Sequence, residues 1–67
     1  STLHDINKHL DIPFPESEEY ETLAGLITYE RPSIKEGEEF ELFRYKIKIL
    51  KINQTLPELV EVHLLNP

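Results

Sequence analysis

A glycine inside a strongly apolar segment is the feature that most constrains how this chain can fold. Residues 20–29 read Tyr-Glu-Thr-Leu-Ala-Gly-Leu-Ile-Thr-Tyr, with Gly25 near the middle. Glycine in a helix interior costs roughly 1 kcal/mol relative to alanine, so Gly25 indicates that a neighbouring stretch of backbone approaches closely. Because the segment is apolar on more than one side, we expect a helix that is covered by both a sheet and another helix.

Two helices are predicted in the N-terminal half. A hydroxyl residue at position 1 or 2 can cap the first helix, in which Leu3, Ile6 and Leu10 recur on one face. The prolines at positions 13 and 15 end that helix, because the residue before a proline is pushed out of the helical region. Ser17 is predicted to cap the second helix, with the glutamates that follow it in the first turn, where the helix dipole favours acids.

Three strands are predicted after a break at residues 31–33. Leu50 directly follows Ile49 and interrupts the alternation of the middle strand, which indicates a β-bulge. The predicted fold is α+β, with two N-terminal helices packed on a small, mainly antiparallel sheet in the order α-α-β-β-β. The inward positions are predicted to be Phe40 and Leu42 in the first strand, Tyr45, Ile47 and Ile49 in the second, and Val60, Val62 and Leu64 in the third.

The composition limits the classes of function. Sixty-seven residues predict a single domain over residues 1–67, and a chain of this size has little room for a large internal cofactor cavity. Thirteen acidic against seven basic residues give a formal charge of −6, which disfavours both nucleic acid and anionic lipid. The chain has no cysteine and no apolar run of membrane-spanning length. We therefore expect a cytoplasmic domain without direct membrane contact.

Residues that could carry chemistry show no recognisable catalytic or metal-binding pattern. His4 and His9 are five positions apart and so do not share a helix face as a metal-binding pair would. Two runs of glutamate, over residues 16–21 and 36–39, lack the glycine-centred loop spacing of a calcium site. We expect no catalytic and no metal-ligating residues, and a weak divalent-cation sensor that uses these acids stays open as an alternative.

The residues described so far resemble the transporter-associated domain of the CorC/HlyC family. The most specific element is Thr22-Leu23-Ala24-Gly25. Three features depart from the family: the strand that usually precedes the first helix is missing from this chain, the common Gly-Gly turn is Phe43-Arg44, and the Arg-rich last strand is replaced by residues 59–63. The other matching positions are Leu3, Ile6, Leu10, Pro13, residues 19–27, Pro32, Glu36-Gly37-Glu38, Tyr45, Ile47, Ile49, Leu50 and Ile52.

The resemblance implies a non-enzymatic regulatory or interaction domain. In that family the domain is the C-terminal module behind a pair of CBS domains in hemolysin-like and magnesium/cobalt-efflux proteins, so we expect this chain to be the C-terminal part of such a protein. Its role would be to modulate ion transport or the activity of a partner. The implied fold is similar in architecture to a subdomain of FAD-binding enzymes, but the chain has no Gly-x-Gly-x-x-Gly loop and no basic cradle for a pyrophosphate.

The interaction surface is predicted on the exposed side of the sheet. Lys46, Lys48, Glu61 and His63 alternate with apolar residues and should share that side. A sheet without its usual first strand has an unpaired edge, and such an edge recruits another strand. The expected partners are therefore the CBS pair, another protein, or a second copy through the sheet edge. A small-ligand module that binds FAD or an adenine nucleotide is the other alternative.

Overall fold

The computed structural model describes residues 1–66 and has the predicted order of elements. Helix α1 spans Leu3–Asn7 and α2 spans Leu23–Glu30, and strands β1, β2 and β3 span Glu39–Leu42, Tyr45–Asn53 and Leu56–Leu64. The strands form one antiparallel sheet in the order β1-β2-β3. The prediction of an α+β fold with two helices before a small antiparallel sheet is confirmed.

Helix α1 is shorter than its apolar spacing predicts. Thr2 caps it by accepting a hydrogen bond of 3.1 Å from the backbone N–H of Asp5, but the helix ends at Asn7 and not near Leu10. Residues 8–10 continue as tight turns whose N–H groups donate to the carbonyls three residues earlier. Leu10 still packs against the core, so its predicted contact is formed without a longer helix.

Helix α2 begins later than predicted, which corrects the assignment of Ser17 as its cap. Residues 17–20 form a turn closed by an isolated bridge between Ser17 and Tyr20. The cap is Thr22, whose hydroxyl accepts a 3.0 Å hydrogen bond from the N–H of Gly25. The glutamates at positions 18, 19 and 21 therefore precede the helix and do not lie in its first turn.

A long-range hydrogen bond explains the later start of α2. The backbone N–H of Leu3 donates to the carbonyl of Glu21 over 2.8 Å, which ties the residue before the cap to the start of α1. Thr22 itself is extended, with φ −121° and ψ 164°, as an N-cap residue should be. A helix that started at Ser17 would have to break this tie, and Thr22 offers an equally good capping hydroxyl.

The close approach predicted at Gly25 is present, and it comes from the turn before α2. A β-carbon at position 25 would lie 3.1 Å from Cβ of Tyr20 and 3.3 Å from the hydroxyl oxygen of Thr22. Both distances are shorter than ordinary van der Waals contact. The glycine therefore lets the turn of residues 17–20 fold back onto its own helix, and neither the sheet nor α1 makes this contact.

The middle and last strands carry the predicted irregularity. The register between β2 and β3 shifts on either side of Lys51, so Leu50 has no opposite residue on β3 and Glu58 has none on β2. The two extra residues offset each other, and the bulge predicted at Leu50 is confirmed. Phe43 and Gln54 adopt positive φ values of 59° and 62° in the two hairpin turns.

The core lies between the helices and one face of the sheet. No polar or charged side chain is buried among residues 1–66. Phe14, in the extended segment between the helices, is 2% exposed, and the centroid of its ring lies 4.6 Å from that of Tyr45. No described helix is long and apolar enough to span a bilayer. Pro57 at the start of β3 is also buried. The buried hydrophobic cluster consists of Leu3, Phe14, Leu26, Ile27, Phe40, Leu42, Tyr45, Ile47 and Ile49.

Candidate functional site: the charged face of the sheet

Charged side chains cover the side of the sheet that points away from the core. Because the buried Tyr45, Ile47 and Ile49 alternate with Lys46 and Lys48, both lysines project from the opposite side. The three strands meet there in an open depression. We call its lining residues the charged face: Glu39 from β1, Lys46 and Lys48 from β2, and Glu61 and His63 from β3.

The register of the sheet brings together the four residues predicted as an interaction surface. Lys46 lies opposite His63, and Lys48 lies opposite Glu61. The sequence pattern missed Glu39, which lies opposite Lys48 on β1. Its alternation with Phe40 and Leu42 carried the necessary signal, since it places Glu39 on the exposed side as well.

Ion pairs hold part of the charged face in place. Lys46 Nζ lies 2.7 Å from Glu39 Oε1. This hydrogen bond, with the attraction between the two charges, lowers the pKa of the Glu39 carboxyl and raises the pKa of Lys46. His63 Nε2 lies 3.6 Å from Glu61 Oε1. The exposed fractions of these four side chains lie between 42% and 66%, so the pairs contribute little to stability and their charges stay accessible to a partner.

Exposed leucines lie on β2 and β3, near the hairpin that joins these two strands. Leu59 is 55% exposed and lies opposite the exposed Lys51. Leu56 is 52% exposed and Leu50, at the bulge, is 39% exposed. A surface that joins accessible charges of both signs to exposed aliphatic side chains has the chemistry of a protein contact, in which apolar area gives affinity and charge gives specificity.

A second depression lies between α1 and the turn before α2, and it is acidic. Its lining includes His4 and four glutamates, at positions 16, 18, 19 and 21. Glu16 is held by the chain itself: Asn7 donates to its Oε2 over 3.0 Å, and His4 Nδ1 lies 3.2 Å from its Oε1. These two hydrogen bonds lower the pKa of Glu16, the Asn7 bond more than the His4 bond. Four carboxylates repel a phosphate or pyrophosphate, which disfavours the alternative of a flavin or adenine-nucleotide site here.

The glutamates of the second acidic run, residues 36–39, form hydrogen bonds with other parts of the chain. Glu36 accepts a 2.9 Å hydrogen bond from the backbone N–H of Ile52. Glu38 accepts one of 2.7 Å from Arg31 and one of 3.0 Å from the N–H of Lys35, and these bonds lower the pKa of Glu38. These carboxylates therefore hold the segment before β1 in place, Glu36 against the second half of β2 and Glu38 against Arg31 and Lys35, a role that their sequence pattern did not indicate.

No metal-binding arrangement is formed by the described residues. Across residues 1–66 no three side chains of the His, Cys, Asp or Glu type come together as ligands of one ion. The acids of the two runs lie on separate parts of the surface. Four of them bond to donors of the chain itself: Glu16, Glu36, Glu38 and Glu39. The alternative of a divalent-cation sensor therefore has no ligand set in the described part of the chain.

Comparison with known protein families identifies the family of the chain. The family model of the transporter associated domain, CorC_HlyC, matches residues 1–66. The chain belongs to this family. No significant match was found among curated proteins or among solved structures.

Membership in the transporter-associated domain family gives the charged face a context. The match covers both helices and all three strands, so every residue of the charged face lies inside the domain. The family is a regulatory, transporter-associated one and not a known catalytic family. The domain thus fits the regulatory part of a transporter-related protein.

Proposed function

We propose that this transporter-associated domain is a non-enzymatic regulatory module that acts through protein contacts made by the charged face. The observation that supports this most is the gathering of accessible charges of both signs from three strands into one depression, next to exposed leucines. Complementary charges on a partner would select it and set its orientation. The balance of charge on this surface disfavours binding to nucleic acid, because glutamates lie between the lysines.

The proposed setting is a hemolysin-like protein in which the domain follows a pair of CBS domains on the cytoplasmic side of the membrane. There it modulates transport of ions of the magnesium and cobalt type. The partner of the charged face is the CBS pair of the same protein or a separate regulatory protein, and a second copy binds through the sheet edge. The family match supports the link to transport, and the resemblance described above suggests the CBS pair and the ions.

A non-enzymatic role agrees with where the perturbed titrating groups lie. The groups whose pKa is shifted are Asp5, Glu16, Glu38, Glu39 and Lys46, and in each the first cause is a hydrogen bond made at the surface. Catalytic acids and bases are tuned mainly by burial and by like charges in a cleft. The shifts in this domain instead report ion pairs and capping bonds that hold the fold.

The proposal is tested in cells that depend on the protein carrying this domain. Cobalt sensitivity and magnesium flux would be measured for the unaltered protein, for deletion of residues 1–67, and for Lys46→Glu combined with Lys48→Glu. We expect the double variant to reproduce most of the effect of the deletion, because it inverts the centre of the charged face and leaves the core intact. The domain carrying the double variant is first checked for a native fold by circular dichroism.

A matched control separates the charged face from net charge. Lys8→Glu combined with Lys35→Glu makes the same change in charge at exposed positions outside the charged face. We expect this control to behave like the unaltered protein. Equal effects of the two double variants, or no effect of the deletion, would contradict the proposal.

A further inference from the structure

The turn between β1 and β2 carries an exposed aromatic ring. The last residue of β1 pairs with the first residue of β2, so the loop consists of Phe43 and Arg44 alone. We call these two residues the hairpin tip. The phenylalanines at positions 14 and 40 are buried in the core, whereas Phe43 is 51% exposed. Phe43 belongs neither to the core cluster nor to the side chains packed against it.

The backbone at Phe43 is unfavourable for a bulky residue. Its φ is +59°, and two-residue hairpin loops favour glycine, asparagine or aspartate at such positions, because a β-carbon crowds the backbone there. Gln54 begins the other two-residue loop, with a φ of +62°, and so holds the same backbone position with a polar side chain. Glycine would relieve both positions. The packing of the fold therefore does not require a phenyl ring at position 43.

Arg44 adds an uncompensated positive charge to the hairpin tip. Arg31, the other arginine of the chain, lies 2.7 Å from Glu38 and 4.6 Å above the centre of the Phe40 ring. Arg44 is exposed and forms no ion pair with any residue between positions 1 and 66. Its guanidinium group is therefore available to a carboxylate of another molecule.

The hairpin tip is fixed in place and adjoins the charged face. The carbonyl of Arg44 accepts a 2.9 Å hydrogen bond from the N–H of Leu65, which holds the turn against the chain after β3. Lys46 of the charged face follows Arg44 by two positions and lies opposite Glu41. A partner that lies along the charged face therefore reaches the tip, and a turn that is already ordered loses little freedom when it is bound.

We propose that the hairpin tip anchors the protein partner of the charged face, with the Phe43 ring in an apolar pocket and Arg44 paired to a carboxylate at its rim. This inference rests on the proposed function and specifies the chemistry of the partner: a protein surface with an apolar pocket beside an aspartate or glutamate. Aromatic and arginine side chains supply much of the binding energy of protein interfaces. The charged face has neither a phenyl ring nor an arginine.

The charges around the tip disfavour a lipid surface as the occupant. A membrane-bound turn needs several basic residues near it to meet the anionic headgroups. The outward residues of β1 are instead Glu39 and Glu41, and the chain has a formal charge of −6. A carboxylate at the rim of a protein pocket needs a single cation, which Arg44 provides.

Photocrosslinking in the full protein that carries this domain tests the contact. The photoreactive residue p-benzoylphenylalanine would replace Phe43 or, as the matched control, Gln54, and the crosslinked peptides would be mapped by mass spectrometry. We expect position 43 to give about tenfold more adduct than position 54, at one protein site that combines apolar residues with an aspartate or glutamate. Adducts with phospholipid, adducts with a second copy of this chain, or equal yields at the two positions would overturn the inference.

Charge reversal tests the pairing of Arg44. Arg44→Glu should lower the adduct yield about tenfold, because it sets two acids against each other. Lys35→Glu makes the same change of charge at an exposed position outside the tip and should leave the yield unchanged. Lysine in place of the mapped acid of the partner should restore the adduct of the Arg44→Glu protein. A yield that Arg44→Glu does not lower, or that the lysine does not restore, would overturn the inference.

Glycine substitutions separate binding from folding. Phe43→Gly and Gln54→Gly each relieve a positive φ, so urea melts should show no loss of stability in either variant. In the cellular assay of cobalt sensitivity and magnesium flux, Phe43→Gly should reproduce most of the effect of deleting the domain, and Gln54→Gly should behave like the unaltered protein. Equal behaviour of the two variants in cells, or a loss of stability confined to Phe43→Gly, would overturn the inference.

The outcomes distinguish this inference from the proposed function. A defect of the Lys46→Glu and Lys48→Glu double variant without one in Phe43→Gly would reject the anchor and leave the charged face standing. A deletion of the domain without effect in cells would reject the proposed function. The adduct at position 43 and its restoration by charge reversal would still show whether the tip is bound as proposed.

Discussion

Asn7 and Phe14 exchange two hydrogen bonds across a turn of the chain. Asn7 Nδ2 donates to the carbonyl of Phe14 over 2.9 Å, and the N–H of Phe14 donates back to Asn7 Oδ1 over 2.9 Å. A single side-chain amide thus satisfies both backbone groups of a residue that is buried in the core. The pair fixes the segment between the helices, which has no regular structure of its own.

Replacing Asn7 with alanine should destabilise the domain by about 1–3 kcal/mol, because both backbone groups of Phe14 would lose their partner in a partly buried site. Urea unfolding measures the change. Asn53→Ala is the matched control, since Asn53 makes only a 3.3 Å hydrogen bond to Glu58 at the surface, and we expect it to stay within about 0.5 kcal/mol. Equal losses at both positions would show that the exchange of bonds with Phe14 is not what holds the segment.

Gly25→Leu should destabilise the domain by about 1–3 kcal/mol despite the better helix propensity of leucine. The added β-carbon meets Cβ of Tyr20, which cannot yield because the Tyr20 ring contacts Tyr29 and its hydroxyl donates to the carbonyl of Pro15. The control is Gly25→Ala in a variant that also carries Tyr20→Gly, because Cβ of Tyr20 is then absent. In that variant the alanine should raise the free energy of unfolding measured in urea melts. A gain from Gly25→Leu in the unaltered background would refute the packing role of the glycine.

Ile47→Ala should cost about 2–5 kcal/mol, since Ile47 is fully buried at the centre of the sheet and its removal opens a cavity. The neighbouring Lys48→Ala should stay within about 0.5 kcal/mol, because that side chain projects from the charged face. Chemical denaturation of the two variants side by side measures both values. Comparable costs would mean that the inward and outward sides of β2 have been exchanged.

Stability should fall as the pH drops below about 4, near the ordinary glutamate value. The pKa of Glu38 is lowered in the folded state, chiefly by the hydrogen bond from Arg31. Its contribution is therefore present above the unfolded-state pKa and is lost as the pH falls through the lower folded-state value. Urea midpoints between pH 7 and pH 3 should decline less steeply for Glu38→Gln. If the urea midpoint of Glu38→Gln declines with pH as steeply as that of the unaltered domain, Glu38 is not the group responsible. Glu18→Gln, at an exposed residue of the turn before α2, serves as the control.

The sequence by itself determined the strands and the inward faces of β1 and β2. In β3 the prediction holds only in part: Val60 and Val62 are partly buried against the core, but Leu64, predicted to turn inward, is 49% exposed. Alternation in residues 39–42 and 45–49 specifies which side chains turn inward, because the period of a strand is a local property of the backbone. The same alternation brought Lys46, Lys48, Glu61 and His63 together, and the extra apolar residue at Leu50 predicted the bulge. Gly25 correctly indicated a close approach.

Only the tertiary structure decided where α2 starts and which groups are satisfied by distant partners. Ser17 and Thr22 are both good caps by residue type, and the bond from the N–H of Leu3 to the carbonyl of Glu21 selected Thr22. The engagement of Glu16 with His4 and Asn7 likewise depends on how separate segments meet. Such contacts join residues far apart in the chain, so no local pattern of side chains records them.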